Sequence, residues 1–223
     1  MKIFLIRHGE SKQNTKENYV TGLPDHKVEL TEKGIEQANE AGVFLVKYIN
    51  EHNIDLSNAR LWVSPYTRTR QTAEQINKHL QIPDVKEDIT LIEQRYGLFS
   101  DKEISKIKEL YPDEFAHYDN YYKNEGKFYA VLPQGEAPYD VALRTKQFID
   151  TIFRDDNDPL FVVSHGTTIR TFIMNWMHYS PEWYANEPTM SNCAIRLINR
   201  EGKHSTEEFI YGGPKLTLKK TDK

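Results

Sequence analysis

Two apolar runs, Ile3-Phe4-Leu5-Ile6 and Leu160-Phe161-Val162-Val163, each end abruptly in a short polar segment carrying a histidine, Arg7-His8-Gly9 and Ser164-His165-Gly166. Apolar runs without polar alternation are the pattern of strands buried on both faces, and charge at their ends marks a passage into a loop. After the second run, Ile169, Phe172, Ile173 and Trp176 fall on one helical face, so His165 opens a helix.

The rest of the chain repeats this alternation. From Thr31, read as an N-cap, Ile35, Ala38, Gly42, Leu45 and Ile49 recur at steps of three and four, forming one helix face. Leu61-Trp62-Val63 reads as a strand, and after Ser64-Pro65 a helix turns Thr69, Ala73, Ile76 and Leu80 inward, with Arg68 in its first turns. A short strand is expected near residues 89–92, with Glu93 just beyond it. Ser100 and Glu103 then have capping-box spacing for a helix carrying Ile104, Ile107 and Leu110. Residues 112–138 mix Pro, Gly, Asn and Tyr without clean periodicity. They read as an irregular excursion, either a lid over a site or an aromatic-rich packed loop.

A further helix over residues 139–154 turns Val141, Thr145, Phe148 and Ile152 inward. Two late strands near residues 194–198 and 207–211 flank a turn at Gly202. The alternation specifies an α/β three-layer sandwich, a mostly parallel sheet with helices on both faces. Ligands bind such a sheet at the C-terminal ends of its strands.

A chain of 223 residues fits one domain spanning residues 1–223, with residues 112–138 as its lid or insertion. The net charge of -4 provides no long-range attraction for nucleic acid or anionic membranes, so any anion site must be local. No apolar stretch approaches the roughly 20 residues that a membrane helix needs, and the first apolar run is too short for a signal peptide. The single cysteine, Cys193, excludes an intramolecular disulfide and fits a reducing, cytoplasmic setting.

Strand ends therefore bring Arg7-His8, Glu93 and His165 to one edge of the sheet, and Arg68 enters from a neighbouring helix. Two histidines and two arginines around one point make a cationic pocket whose guanidinium forks match the oxygens of a phosphoryl group. Backbone N–H groups at the helix start after His165 add positive potential. A metal site is the competing use of histidine, but the arginines repel a cation and no zinc-type spacing is present. The expectation is no metal and no cofactor, with a small-molecule phosphate ester as the partner.

Arg7-His8-Gly9-Glu10-Ser11 with Asn14, the segment Ser64-Pro65-Tyr66-Thr67-Arg68-Thr69-Arg70-Gln71-Thr72-Ala73, Leu91-Ile92-Glu93-Gln94-Arg95-Tyr96-Gly97, and Ser164-His165-Gly166 stand in this order along most of the chain. Together they resemble the histidine phosphatase superfamily, also called phosphoglycerate mutase-like. The resemblance implies that His8 attacks phosphorus in line, that Arg7, Arg68 and His165 hold the transferring oxygens, and that Glu93 is the proton donor. Asn14 matches a motif position that contacts phosphate, with a turn-forming role after Ser11 as the alternative, and Gly22, Gly166, Thr167, Arg70, Arg95 and Tyr96 are the further candidates for substrate or phosphate contacts.

The core motifs do not separate hydrolases from mutases. Mutases in the superfamily carry a tryptophan in the segment where this chain has Tyr19-Val20-Thr21-Gly22-Leu23-Pro24-Asp25, and paired arginines in the middle insertion. Residues 111–132 here hold no arginine and only Lys123 and Lys127 as cations of the lysine and arginine kind. Phe128-Tyr129 before Pro133-Gln134-Gly135-Glu136, and Thr167-Thr168-Ile169-Arg170 before Trp176-Met177-His178, resemble a broad-specificity phosphatase branch. Ala137 stands where that branch often has Ser, and Glu136 reads either as a functional residue or as an exposed loop carboxylate. Hydrolysis of phosphomonoesters is the expectation, with a mutase or a non-catalytic phosphate-binding protein as alternatives. Tyr19, Tyr121, Tyr122, Phe128 and Tyr129 are candidates for the mouth of the site. Trp176, Met177, Trp183 and Tyr184 read as core packing, with a homodimer contact as the alternative.

Overall fold

Apolar side chains on both sides of a strand need two covering layers, and the computed structural model, which describes residues 1–15 and 22–214, supplies both. Among the described residues six strands form one sheet: β1 (Lys2–Arg7), β2 (Arg60–Val63), β3 (Val85–Glu87), β4 (Leu160–Ser164), β5 (Ile195–Glu201) and β6 (His204–Tyr211). Their order is β3-β2-β4-β1-β5-β6. The pairs from β3 to β1 are parallel, and β5 alone runs against the rest, pairing antiparallel with both β1 and β6. Gly202 makes the β5–β6 turn with φ of +60°, a conformation glycine adopts without strain.

Helices α1 (Glu32–Glu51) and α2 (Thr67–Leu80) cover one face, where Phe4, Ile6, Val63 and Val163 meet Ala38, Leu45, Ala73 and Ile76. Phe4 stacks on Phe161 across the sheet at 4.7 Å between ring centroids. Helix α3 (Ile104–Leu110) and helix α4 (Pro112–Glu125) stand beyond the C-terminal ends of the strands. Helices α5 (Pro138–Ile152) and α6 (Gly166–Met177) cover the other face, where Ile3, Leu5, Leu160 and Val162 pack on Phe148, Ile152, Phe172 and Ile173. A short α7 (Pro181–Asn186) follows. Each such aliphatic or aromatic side chain contributes roughly 1.5–3 kcal/mol on burial. Among the described residues no helix is long and apolar enough to cross a membrane.

Thr31 caps α1 as its spacing predicts, its hydroxyl accepting from Gly34 N at 3.1 Å. Three other local expectations change. Residues 89–92 contain no strand: Ile89–Leu91 is a 3-10 turn, capped by Asp88 Oδ1 accepting from Thr90 N at 2.8 Å. The strand comes earlier, as β3, whose three residues are all exposed and so carry no apolar signature. Ser100 does not cap α3; Glu103 holds that position without a side-chain cap bond, and of the three apolar residues assigned to the helix only Ile107 is buried.

The third change is α4, a helix of 14 residues at the start of the tract expected to be irregular. None of its residues is buried, and its inner side is aromatic rather than aliphatic. Phe115 and Tyr118 meet Phe99 at 6.2 and 5.6 Å between ring centroids. Residues 126–137 have no regular element.

The loop after β1 is clamped onto the first turn of α1 by an unusually close backbone approach. A Cβ on Gly34 would stand 2.0 Å from Glu10 O, and one on Gly9 would stand 2.4 Å from Gly34 O. Thr31 N also donates to Glu10 O at 2.9 Å. Both neighbours are backbone, so neither can swing aside. Gly34→Ala is therefore expected to cost about 3 kcal/mol of stability, the upper end for overpacking, read as a lowered midpoint of urea unfolding at constant slope. A midpoint equal to the parent's would show that the loop relaxes freely.

Candidate active site

Parallel pairing of β1 with β4 runs in register from Ile3↔Leu160 to Arg7↔Ser164, so the next residue on each strand is a histidine. His8 N donates to Ser164 O at 3.0 Å, and the two imidazoles lie 5.1 Å apart between ring centroids. His8 Nδ1 stands 2.7 Å from Gly9 O. A carbonyl oxygen only accepts, so Nδ1 carries the proton and Nε2 keeps the lone pair in the neutral ring. Burial pushes the His8 pKa well below its usual value, and the guanidiniums of Arg68 and Arg7 push it the same way. His165 is depressed likewise, by burial and then by Arg68 and His8. Its Nε2 is 2.8 Å from Ser64 Oγ at the end of β2.

Both arginines are buried, Arg7 to 7% and Arg68 to 1% exposure. Arg7 Nη1 donates to Met190 O at 2.5 Å. Arg68 Nη1 donates to Asp25 O and to Asp25 Oδ1, each at 2.8 Å. Arg7 Nε and Arg68 Nε, both N–H donors, and the ring nitrogen His165 Nδ1 are buried and bond to no atom of the described residues. Buried N–H groups of this kind are costly unless a ligand accepts from them. Arg7 and Arg68 border a cavity of about 470 Å³, whose inner end they make with His8, Glu93 and Gly166; His165 is not among its lining residues. A Cβ on Gly166 would enter that end, 3.7 Å from Arg7 Nε and 3.8 Å from Glu93 Oε2.

Glu93 follows the 3-10 turn rather than a strand, yet it arrives where the sequence places it. Oε2 accepts from Thr167 N at 3.3 Å at the start of α6, and Oε1 accepts from Gln94 N at 3.0 Å. The loop is fixed from behind by Arg144, whose Nη1 donates to Thr90 O at 2.7 Å and whose Nη2 donates to Glu93 O at 3.0 Å. Glu136 holds Arg144 in turn: Oε1 accepts from Arg144 Nε at 3.2 Å, and Oε2 accepts from Arg95 N at 2.9 Å. At 5% exposure it is no surface loop carboxylate; it is a buried brace.

The other predicted residues divide. Gly166, Thr167, Tyr96 and Asn14 line the cavity with Arg7, His8, Arg68 and Glu93. Asn14 also makes the turn foreseen for it, Oδ1 accepting from Ser11 N at 3.1 Å and from Asn192 Nδ2 at 3.1 Å. The Tyr96 hydroxyl is desolvated beside Glu93, which raises its pKa. Arg70 lies away from the cavity, with Nε and Nη2 on Glu87 at 2.7 and 2.6 Å. Arg95 projects outward, its side chain 66% exposed. Gly22 is exposed and outside the cavity lining. Tyr19 lies outside the described residues.

Of the aromatics assigned to the mouth, Phe128 is instead buried against Tyr184 and Met174. Tyr121, Tyr122 and Tyr129 are exposed and absent from the lining. The mouth is formed by Phe99, Phe115 and Tyr118. Trp176 and Tyr184 are buried, as core packing requires. Asp25 was not anticipated; the clue available was that an arginine buried in a helix's first turn calls for a carboxylate, and Asp25 is one of three acids, with Glu17 and Glu29, in the segment between the first motif and α1.

Residues 3–210 match the histidine phosphatase superfamily (branch 1), and the chain belongs to that family. It is 32% identical to phosphoglycerate mutase-like protein AT74 of Arabidopsis thaliana, over 94% of this chain and 70% of that one. It is 30% identical to phosphoserine phosphatase 1 of Hydrogenobacter thermophilus, over 76% of this chain and 73% of the relative. The alpha-ribazole phosphatase structure from Shigella flexneri superposes with a TM-score of 0.74 at 22% identity, covering 94% of this chain and 95% of the other. That likeness confirms the fold, an α/β sandwich of the phosphoglycerate mutase-like kind.

Asp25 occupies the fork of Arg68 that a phosphoryl oxygen would use. Asp25→Asn is expected to tighten the binding of inorganic phosphate roughly tenfold by removing a charged competitor, as measured by calorimetry. Unchanged or weaker binding would assign Asp25 the opposite role, that of orienting Arg68.

Proposed function

We propose that the protein is a phosphomonoesterase that works through a phosphohistidine on His8. The observation that carries this reading is the tautomer of His8: with Nδ1 committed to Gly9 O, Nε2 offers a lone pair beside two buried guanidiniums. The Nε2 lone pair attacks phosphorus, the ester P–O bond breaks, and the Glu93 carboxyl delivers a proton to the departing alkoxide. Water then gives a proton back to the Glu93 carboxylate and attacks the phosphohistidine, releasing phosphate and neutral His8.

Arg7, Arg68 and His165 stabilise the charge that spreads over the equatorial oxygens, and the N–H groups at the start of α6 add to it. The substrate is a small phosphorylated metabolite, and the chemistry asks for no metal or organic cofactor. Phosphatase names among the relatives support hydrolysis. Cytoplasmic residence fits the one cysteine, Cys193, which is buried and free.

Phosphate release from a panel of phosphomonoesters, run beside an assay for interconversion of 3- and 2-phosphoglycerate, tests the reading. His8→Ala is expected to abolish release. Glu93→Gln is expected to slow alkyl phosphates by about 100-fold or more and 4-nitrophenyl phosphate far less, since a good leaving group needs no proton. Equal losses across both ester types would remove the acid role, and isomerisation outpacing release would make the enzyme a mutase.

The depressed pKa of His8 sets a second expectation. Protonation removes the lone pair, so the reactive form is lost only as pH falls through a pKa lying below 6.5. An NMR titration of the His8 ring should show no midpoint between pH 6.5 and 8. A midpoint within that range would mean that the arginines do not act on the ring as their positions imply.

A further inference from the structure

The cavity has two chemically different halves. Its inner end is cationic; its outer wall is built from Phe99, Ile104, Ile107, Phe115, Tyr118 and Leu132, all contributed by α3, α4 and the segments flanking them. Phe99, Ile107 and Leu132 form a small cluster apart from the two main cores, with Phe115 and Tyr118 packed on it. Packing of α3 and α4 accounts for those five. It does not account for Ile104, which stands outside that cluster, is 64% exposed and still lines the cavity.

Several polar groups of the outer half are engaged with the protein. Gln13 Nε2 donates to Asp101 Oδ1 at 3.0 Å, and Asn14 Oδ1 accepts from Ser11 and Asn192. Among the described residues that line this half Lys102 is the one lysine or arginine; its Nζ donates to Ser100 O at 3.0 Å, and Asp101 is its chain neighbour. A second phosphate or a ring of hydroxyls would find little here to replace its water, whereas an apolar body would cover Ile104 and the aromatic edges.

We infer that the outer half is a leaving-group subsite for an apolar alcohol, so that the substrates are alkyl or aryl phosphomonoesters rather than sugar phosphates or bisphosphates. This rests on the phosphatase reading for the reaction but not for the binding. The phosphoryl group sits between Arg7 and Arg68 within reach of His8, and the ester oxygen faces Glu93. The alcohol's carbon body runs outward along Phe99 and Ile104 toward Phe115. Burial of each added methylene strengthens transition-state binding until the wall is covered.

Two series on the full-length protein test this separately. Alkylphosphonates from methyl to hexyl, which cannot be hydrolysed, should gain about fourfold in affinity per methylene by calorimetry, and kcat/KM for the matching alkyl phosphates should climb in parallel. Ile104→Ser, a change at an exposed position, and Phe115→Ala should each lower the hexyl-to-methyl ratio several-fold. A flat phosphonate series, or a ratio that neither substitution changes, overturns the subsite. Failure to release phosphate from any ester overturns the phosphatase reading instead, and the phosphonate series still decides the subsite because it needs no turnover.

Discussion

Residues 164–168, where β4 passes into α6, hold the rest of the site in place. Ser164 O receives His8 N at 3.0 Å, and Ser164 Oγ donates to Leu91 O at 2.8 Å. His165 Nε2 meets Ser64 Oγ at 2.8 Å, and Thr168 Oγ1 donates to Ile92 O at 2.6 Å. One short segment thus fixes the nucleophile's strand, the loop of Glu93 and the approach to the helix of Arg68. The parallel register of β1 and β4 sets the first of these contacts, and the aliphatic layers on both faces leave that register no slack.

Burying two guanidiniums within one pocket is unfavourable unless counter-charges or hydrogen bonds are near. The fold answers asymmetrically. Arg68 has a carboxylate, Asp25, while Arg7 has a backbone carbonyl and the more distant charge of Glu93. The two histidines answer by staying neutral. A His8 ring held neutral by its surroundings and a cavity short of acceptors are two results of the same cluster of cations.

The sandwich was legible because its elements carry aliphatic residues at the periods of strand and helix: Ile3 to Ile6 in β1, Ala38 and Leu45 in α1, Phe172 and Ile173 in α6 are all fully or almost fully buried. Elements that bury no aliphatic face were misread. β3 is exposed throughout, and α4 rests on the aromatic edges of Phe115 and Tyr118, whose spacing of three with Tyr122 four further on was the available signal. Motif order singled out Arg7, His8, Arg68, Glu93 and His165, and the fold brings four of them, Arg7, His8, Arg68 and Glu93, to one cavity and sets His165 against His8, whatever element delivers each. Arg70 and Arg95 were candidates for the mouth of the site, and only the fold reveals that Glu87 takes the first, while the second is largely exposed and reaches Glu136 at 3.5 Å. The depth of Glu136 was hidden for a related reason: its partner Arg144 is eight residues away on another element, and nothing local announces the pair.

The buried donors Arg7 Nε and Arg68 Nε, which find no acceptor among the described residues, also enter the thermodynamics of folding. An anion that satisfies them binds the native chain and not the unfolded one, and so shifts the folding equilibrium by mass action, about 2.7 kcal/mol at a hundredfold excess over Kd. If the proposed phosphatase reading holds, inorganic phosphate is both the end product of the reaction and a conformational stabiliser, and a protein idling in phosphate-rich surroundings is harder to unfold than the same chain in a phosphate-free buffer.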